Sequence, residues 1–308
     1  MRFLVLGAGA IGGFFGGKLM KGGADVTFLV RPRRAAQLAD RGLVLKAQDG
    51  EFRAPAKTVL AGQIEHPYDV VLLCCKAYDL ADAVGAIAPA VGPGTAVVPF
   101  LNGMRHLSVL SERFGPDKVL GGLTAVNAVL EPTGDVVQTP VRIDMTALGE
   151  LGGERSARCR AILDALTAGG ISAAVRDDIV AFMWAKFFAF ACIATMATLT
   201  RARAGAIARA AGGPALVAAI IEECGRVVGA EGYLPPPEIA EIVRGLYAQP
   251  DSRYGPSMLV DMEEGRPTEG EHTIGHLVEC AARRGVAAPL LTAARCALQA
   301  YEMARLAR

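Results

Sequence analysis

Apolar residues in the first half of the chain come in short, nearly uncharged runs. Phe3 to Leu6, Asp25 to Val30, Tyr68 to Cys75 and Thr95 to Leu101 suit strands buried on both faces of a parallel sheet. Leu43 to Ala56 alternates around Asp49-Gly50, a hairpin signal. Lys118 to Val126, Val136 to Gln138 and Val141 to Leu148 predict further strands, the later ones antiparallel, with Gly134-Asp135 fitting a hairpin turn. Ala157 to Ala168 predicts a helix and Ile171 to Val175 a last short strand. Beyond Asp177 strand signals stop. Helical segments follow at about 178–200, 214–231, 236–248, 256–264, 268–284 and 289–307, separated by Gly or Pro. The expected organisation is an α/β domain over residues 1–175 and an all-helical domain over 176–308. A length of 308 residues fits two domains better than one core.

The first run leads straight into Gly7-Ala8-Gly9-Ala10-Ile11-Gly12, and then into a glycine-dense helical segment. In a strand–turn–helix context this G-x-G-x-x-G pattern has a mechanical reading. The first glycine makes the tight turn, the second lets backbone approach a pyrophosphate, and the third lets the helix lie close to the strand. The helix N-terminus then offers unpaired N–H groups to the phosphates. With 36 glycines in the chain the pattern alone is weak; its position makes it specific for a Rossmann-type, doubly wound dinucleotide fold.

Composition narrows the classes of partner. The net charge of +1 gives no electrostatic case for nucleic acid or an anionic membrane surface. Seven cysteines are scattered without a C-x-x-C, which reads as reduced thiols in a cytoplasmic protein. Arg2 is followed by too short an apolar run for a signal peptide. The charge-free stretch Phe187 to Thr200 is shorter than the ~18–20 residues of a membrane span, so a soluble protein is expected.

Candidate chemistry sits where open α/β sheets bind ligands, beyond the carboxyl ends of the strands. The second strand runs into Arg31, followed by Pro32-Arg33-Arg34, with no acid before Asp40. An NAD enzyme places a carboxylate there for the ribose 2′-hydroxyl, whereas a guanidinium pairs with a 2′-phosphate, so NADP(H) is the expected cofactor. A basic start to a surface helix is the plainer reading of Arg31. Lys76 follows the strand ending at Cys75 and is placed to meet the cofactor, or simply opens a helix in solvent. Asn102, before Gly103, lies at the same edge as a ligand or as a local cap. In the helical half, Ile179 to Leu199 is apolar nearly all round, so it should be a central helix, and Lys186 is its only charge. A buried lysine has a lowered pKa suited to proton transfer; a lysine reaching the surface along its own stem is equally open to it. Glu269, His272 and His276 fall on one helix face, but without H-E-x-x-H or a second ligand cluster no metal is expected.

These residues resemble one known family. The GAGAIG start, Arg31, Cys75-Lys76-Ala77, Leu101-Asn102-Gly103-Met104, Trp184-Ala185-Lys186 and Arg266-Pro267-Thr268-Glu269 are similar, in order and spacing, to ketopantoate reductases (2-dehydropantoate 2-reductases), over essentially the whole chain. The resemblance implies reduction of a small 2-oxo acid to a 2-hydroxy acid by NADPH, as in pantothenate biosynthesis. It implies that Gly7, Ala8, Gly9, Ala10, Ile11, Gly12, Arg31, Lys76, Asn102, the backbone near Val126 and Glu269 hold the cofactor. Lys186 and Glu269 would be catalytic, and Asn102, Lys186 and Ser257 would meet substrate. A homodimer is one assembly open to such a chain. The sequence also departs from the family pattern. Asparagines expected four and eight residues after the lysine, and before Gly205, are Phe190, Ala194 and Ala204, and no Asn follows Asn127. The substrate pocket is therefore expected to be more apolar and its substrate bulkier or less hydroxylated. A dehydrogenase of the same architecture acting on a 3-hydroxy acid or other carbonyl, and an NADP(H) sensor without turnover, are the competing readings.

Overall fold

The computed structural model describes residues 1–140 and 144–307. Packing divides the chain into two units, Met1–Leu101 with His106–Val180, and Asn102–Arg105 with Ala181–Arg308. The division thus falls a few residues beyond Val175, and it assigns the short turn after Leu101 to the helical unit.

In the first unit the elements run β1 (Arg2–Leu6), α1 (Ala10–Lys21), β2 (Asp25–Leu29), α2 (Pro32–Arg41), β3 (Leu43–Ala47), β4 (Gly50–Ala54), β5 (Lys57–Val59), β6 (Val70–Leu73), α3 (Leu80–Ile87), β7 (Ala96–Pro99), α4 (Arg105–Phe114), β8 (Leu120–Thr124), β9 (Asn127–Leu130), β10 (Val136–Thr139), β11 (Thr146–Glu150), α5 (Ala157–Ala168) and β12 (Ala173–Val175). The main sheet has the order β5-β2-β1-β6-β7, every pairing parallel. The apolar runs explain why. Along β1, Phe3 and Val5 enter one core cluster with Phe14, Phe15 and Leu19 of α1, while Leu4 enters another with Leu80 and Ile87 of α3. A strand buried on both faces needs apolar side chains at every position, and a sheet covered on both faces is doubly wound. Two smaller sheets complete the unit, β4-β3-β10-β9 and β12-β11-β8.

The later strands are not simply antiparallel. β10 pairs antiparallel with β9 but parallel with β3, and β11 pairs antiparallel with β8 but parallel with β12. The turn at Gly134-Asp135 closes the β9–β10 hairpin, and β9 lies where no separate strand is expected. β5 is likewise unforeseen. The strand expected to start at Val141 begins, within the described residues, only at Thr146; its proposed first residues lie outside them.

The helical unit contains α6 (Ile179–Thr200, its first two residues belonging to the other unit), α7 (Ala204–Arg209), α8 (Gly213–Ala230), α9 (Pro237–Leu246), α10 (Ser257–Glu263), a π-helical turn (Glu271–Gly275), α11 (His276–Arg284) and α12 (Pro289–Leu306). α6 is one unbroken 22-residue helix, with a mean hydropathy of 1.9 over its most apolar stretch. By length and composition it could cross a membrane, which the shorter charge-free stretch alone could not. Two-thirds of that stretch, 67%, is buried inside the protein, as in the core helix of a bundle. Glu223 of α8, itself buried, accepts the N–H groups of Leu290 (3.3 Å) and Leu291 (2.8 Å), so one helix supplies the N-terminal cap of another. All seven cysteines are free.

Candidate active site

The glycine loop of the first unit has the form its sequence predicts. Gly7 adopts φ +89°, the region open to glycine, and its N–H donates to Leu29 O at 2.9 Å. A Cβ at Gly12 would lie 1.9 Å from Gly7 O, so only glycine lets α1 start this close to β1. Gly9 is the N-cap of α1, no side chain caps the helix, and its first turn has no acid. A Cβ at Gly9 would meet nothing within 4 Å. Free donors beside open space suit a bound phosphate. Arg34 supports the loop from α2: its Nε donates to Ala8 O at 2.9 Å, while its buried Nη2 has no hydrogen-bond partner among the described residues. Burial pushes its pKa down, partly offset by Asp135. Sequence reasoning saw the basic run but not this residue's part in it, because the Ala8 contact joins residues far apart in the chain.

Arg31 lies just beyond β2 as the N-cap of α2 and is largely exposed; its Nη2 pairs with Asp79 Oδ1 at 2.9 Å. Lys76 is exposed at the start of the short turn Ala77–Asp79 after β6. Val126 is buried between β8 and β9, and its N–H donates to Thr124 Oγ1 at 3.2 Å. The donors and open space around Gly9 and Arg34 fit a dinucleotide, the group that supplies hydride chemistry when bound.

In the helical unit Lys186 Nζ donates to Asn102 Oδ1 at 3.2 Å, and Asn102 Nδ2 donates to Glu269 Oε2 at 3.4 Å. One amide therefore links an ammonium to a carboxylate. Burial pushes the Lys186 pKa down to about 8, against the opposing pull of Glu269. Gly103 turns the chain at φ +91°, and a Cβ there would sit 2.8 Å from His272 O, so glycine sets how closely the Asn102 turn approaches the π-helical turn. Glu269 is buried and its surroundings fix it. Thr268 donates its N–H and hydroxyl to Glu302 Oε1 at 2.8 and 2.9 Å, and Thr273 Oγ1 donates to Glu269 O at 3.0 Å. Arg105, three residues after Asn102, pairs with Glu279 at 3.1 Å, and Arg295 joins Glu279 to Glu271. The expected continuous helix over 268–284 is broken here by the π-helical turn, a feature frequent at functional sites.

Other expected residues are placed differently. Ser257 is exposed at the start of α10, and among the described residues no hydrogen bond joins it to Lys186, Asn102 or Glu269. Ala194 and Ala204 are core positions, each 1% exposed, and the Ala204 N–H donates to Tyr254 O. Only Phe190, one turn from Lys186 on α6, is half-buried. His272 and His276 have pKa values lowered by burial, and His276 stands over the Trp184 ring at 6.4 Å. Among the described residues no cluster of three or more His, Cys, Asp or Glu side chains is arranged to hold a metal.

A doubly wound dinucleotide fold followed by a helical unit carrying a half-buried lysine in an apolar helix defines a class of nicotinamide-type oxidoreductases. The family model for ketopantoate reductase PanE/ApbA matches residues 3–153, and the model for its C-terminal region matches residues 178–302. The chain belongs to the ketopantoate reductase family. It is 35% identical to the uncharacterized oxidoreductase YkpB of Bacillus subtilis, over 98% of this chain and 99% of that one. It is 28% identical to the 2-dehydropantoate 2-reductase of Mesorhizobium japonicum, over 87% of this chain and 88% of the relative. The fold matches the ternary structure of D-mandelate dehydrogenase with NADH and anilino(oxo)acetate, with a TM-score of 0.88, 23% identity, and coverage of 99% and 100% of the two chains.

Proposed function

We propose that this protein reduces a 2-oxo acid to a 2-hydroxy acid with NADPH, either as a 2-dehydropantoate 2-reductase or as a paralogue with a more apolar substrate pocket. The observation that carries the reading is the Lys186–Asn102–Glu269 chain, an ammonium with a pKa near 8 held by one amide to a buried carboxylate. Such an ammonium remains protonated at neutral pH yet releases its proton more readily than an exposed lysine.

The residues divide the work. The N–H groups of Ala10, Ile11 and Gly12, with the loop Gly7 to Gly9, bind the pyrophosphate, and Arg31 and Lys76 bind the nucleotide's outer groups. Asn102 orients the Lys186 ammonium, since its amide oxygen is fixed by the bond its nitrogen makes to Glu269. Lys186 donates a hydrogen bond to the substrate's 2-oxo oxygen. As hydride reaches the carbon and the C=O bond becomes C–O, negative charge on that oxygen is first stabilised and then protonated from Nζ. The lysine is left neutral and regains a proton from solvent. Glu269 keeps Lys186 charged in the resting protein by its electrostatic pull. Phe190, where the family pattern has an asparagine, gives the pocket an apolar wall and favours an aryl or branched side chain on the substrate. The D-mandelate dehydrogenase that shares the fold is bound to an aryl-substituted oxo acid, which agrees with that preference. Free thiols agree with a reducing, cytoplasmic setting.

The test is NADPH oxidation followed spectroscopically with a panel of 2-oxo acids. Aryl and branched 2-oxo acids should exceed ketopantoate in kcat/KM, and Lys186→Ala should abolish turnover while NADPH still binds. High efficiency with ketopantoate would remove the role given to Phe190. Turnover retained in Lys186→Ala would remove the mechanism.

A further inference from the structure

The Arg31–Asp79 pair is not accounted for by the proposed reaction. β2 and β6 flank β1 on its two sides, so residues just beyond their carboxyl ends bracket the point where β1 enters the glycine loop. Arg31 lies just beyond β2, and Asp79 ends the short turn after β6. Their contact at 2.9 Å therefore joins the two sides of this edge of the sheet, where open α/β sheets bind ligands. Arg31 is 78% exposed and Asp79 32%, and the bond uses only one Arg31 nitrogen. The guanidinium has further donors, and it is largely exposed with a carboxylate beside it.

We propose that Asp79 is a specificity-determining residue which restrains the preference for NADPH over NADH, so that the protein binds both. This rests on the reading of the first unit as a nicotinamide-nucleotide site. A lone guanidinium after β2 would attract a 2′-phosphate strongly. Paired with Asp79 it presents a nearly neutral group, and the carboxylate repels the phosphate that the guanidinium attracts. The 2′-hydroxyl of NADH carries no charge and is indifferent to that repulsion. An ion pair between exposed side chains is weak, so the pair can open or share its donors when a phosphate arrives. The arginine sets the direction of the preference and the aspartate limits its size.

The experiment measures dissociation constants of NADPH and NADH by nucleotide fluorescence on the full-length protein, with no substrate. The wild type should bind both. Asp79→Asn should tighten NADPH about tenfold, as expected for removing one charge near a phosphate in high dielectric, and leave NADH within about twofold. Asp79→Glu, which keeps the charge, should behave as wild type, and the Asn effect should shrink at high salt. Arg31→Ala should weaken NADPH much more than NADH. An unchanged NADPH-to-NADH ratio in Asp79→Asn, or a shift toward NADH, would overturn the inference. Should that variant fail to fold by circular dichroism, Asp79→Ser carries the same expectation. Wild type that binds neither nucleotide would instead overturn the nucleotide-site reading itself.

Discussion

Replacing Glu269 by Gln tests the link between geometry and chemistry most directly. The change is isosteric, and the Asn102 amide still has an oxygen to donate to, so the main loss is one negative charge. Glu269 and Lys186 are separated by one amide and two hydrogen bonds of 3.2 and 3.4 Å. Taking the charges as about 7 Å apart with an effective dielectric of about 20–40, their attraction is roughly 1–2.5 kcal/mol. At about 1.4 kcal/mol per pH unit, its loss lowers the lysine pKa by roughly one to two units. The sign is fixed because Glu269 raises a pKa that burial has already lowered to about 8. If the reaction needs the protonated ammonium, kcat/KM for 2-oxo acid reduction falls as pH rises through about 8 in the wild type. In Glu269→Gln that alkaline limb should move to roughly pH 6–7, with the plateau at lower pH largely preserved. The assay is kcat/KM between pH 5 and 10 with saturating nucleotide. An alkaline limb that stays in place, or moves upward, would refute electrostatic control of Lys186 by Glu269.

Other expectations follow from the same geometry. Lys186→Met should lose turnover yet stabilise the fold. A lysine with a folded pKa near 8 and an unfolded value near 10.5 destabilises the protein below pH 8 by up to about 3 kcal/mol, a cost that disappears above pH 10.5; urea unfolding of both proteins at pH 7 and 10 checks it. Gly103→Ala should destabilise by roughly 1–3 kcal/mol and reduce kcat, since the new Cβ would combine a positive φ with a 2.8 Å approach to His272 O; an unaltered unfolding midpoint would contradict this. Gly12→Ala should abolish NADPH binding, because its Cβ would overlap Gly7 O and push α1 off β1; isothermal titration reads the loss.

Sequence made some of this visible for identifiable reasons. β6 and β7 are buried at every position and β1 from Phe3 to Val5, so these stretches are apolar throughout and the runs declare themselves. The glycine loop is local, and Lys186 stands out as the one charge in a long apolar helix. What escaped lacked a burial signal or depended on distant residues. β5 is Lys-Thr-Val at an exposed edge, defined by backbone pairing to β2 alone. β9 is mostly exposed and shows no alternation to read. α7 has six residues and no side-chain cap. The π-helical turn coincides with pairing between Arg295 and Glu271, a contact of side chains 24 positions apart, and Asn102 meets Glu269 across 167 positions. The apolar character inferred from Phe190, Ala194 and Ala204 also separates on inspection, because two of the three are core positions that periodicity alone cannot distinguish from pocket lining.

Lys186 carries a desolvation cost that an apolar residue of similar length would not. A library of variants screened only for heat resistance would therefore be expected to discard this lysine early, and with it the activity proposed above. Natural sequences that diverged while losing turnover should carry the same mark, an uncharged residue at this one position in an otherwise unaltered helix. On the proposed mechanism, position 186 is then a simple marker for sorting working relatives from those that have kept the architecture but abandoned the chemistry.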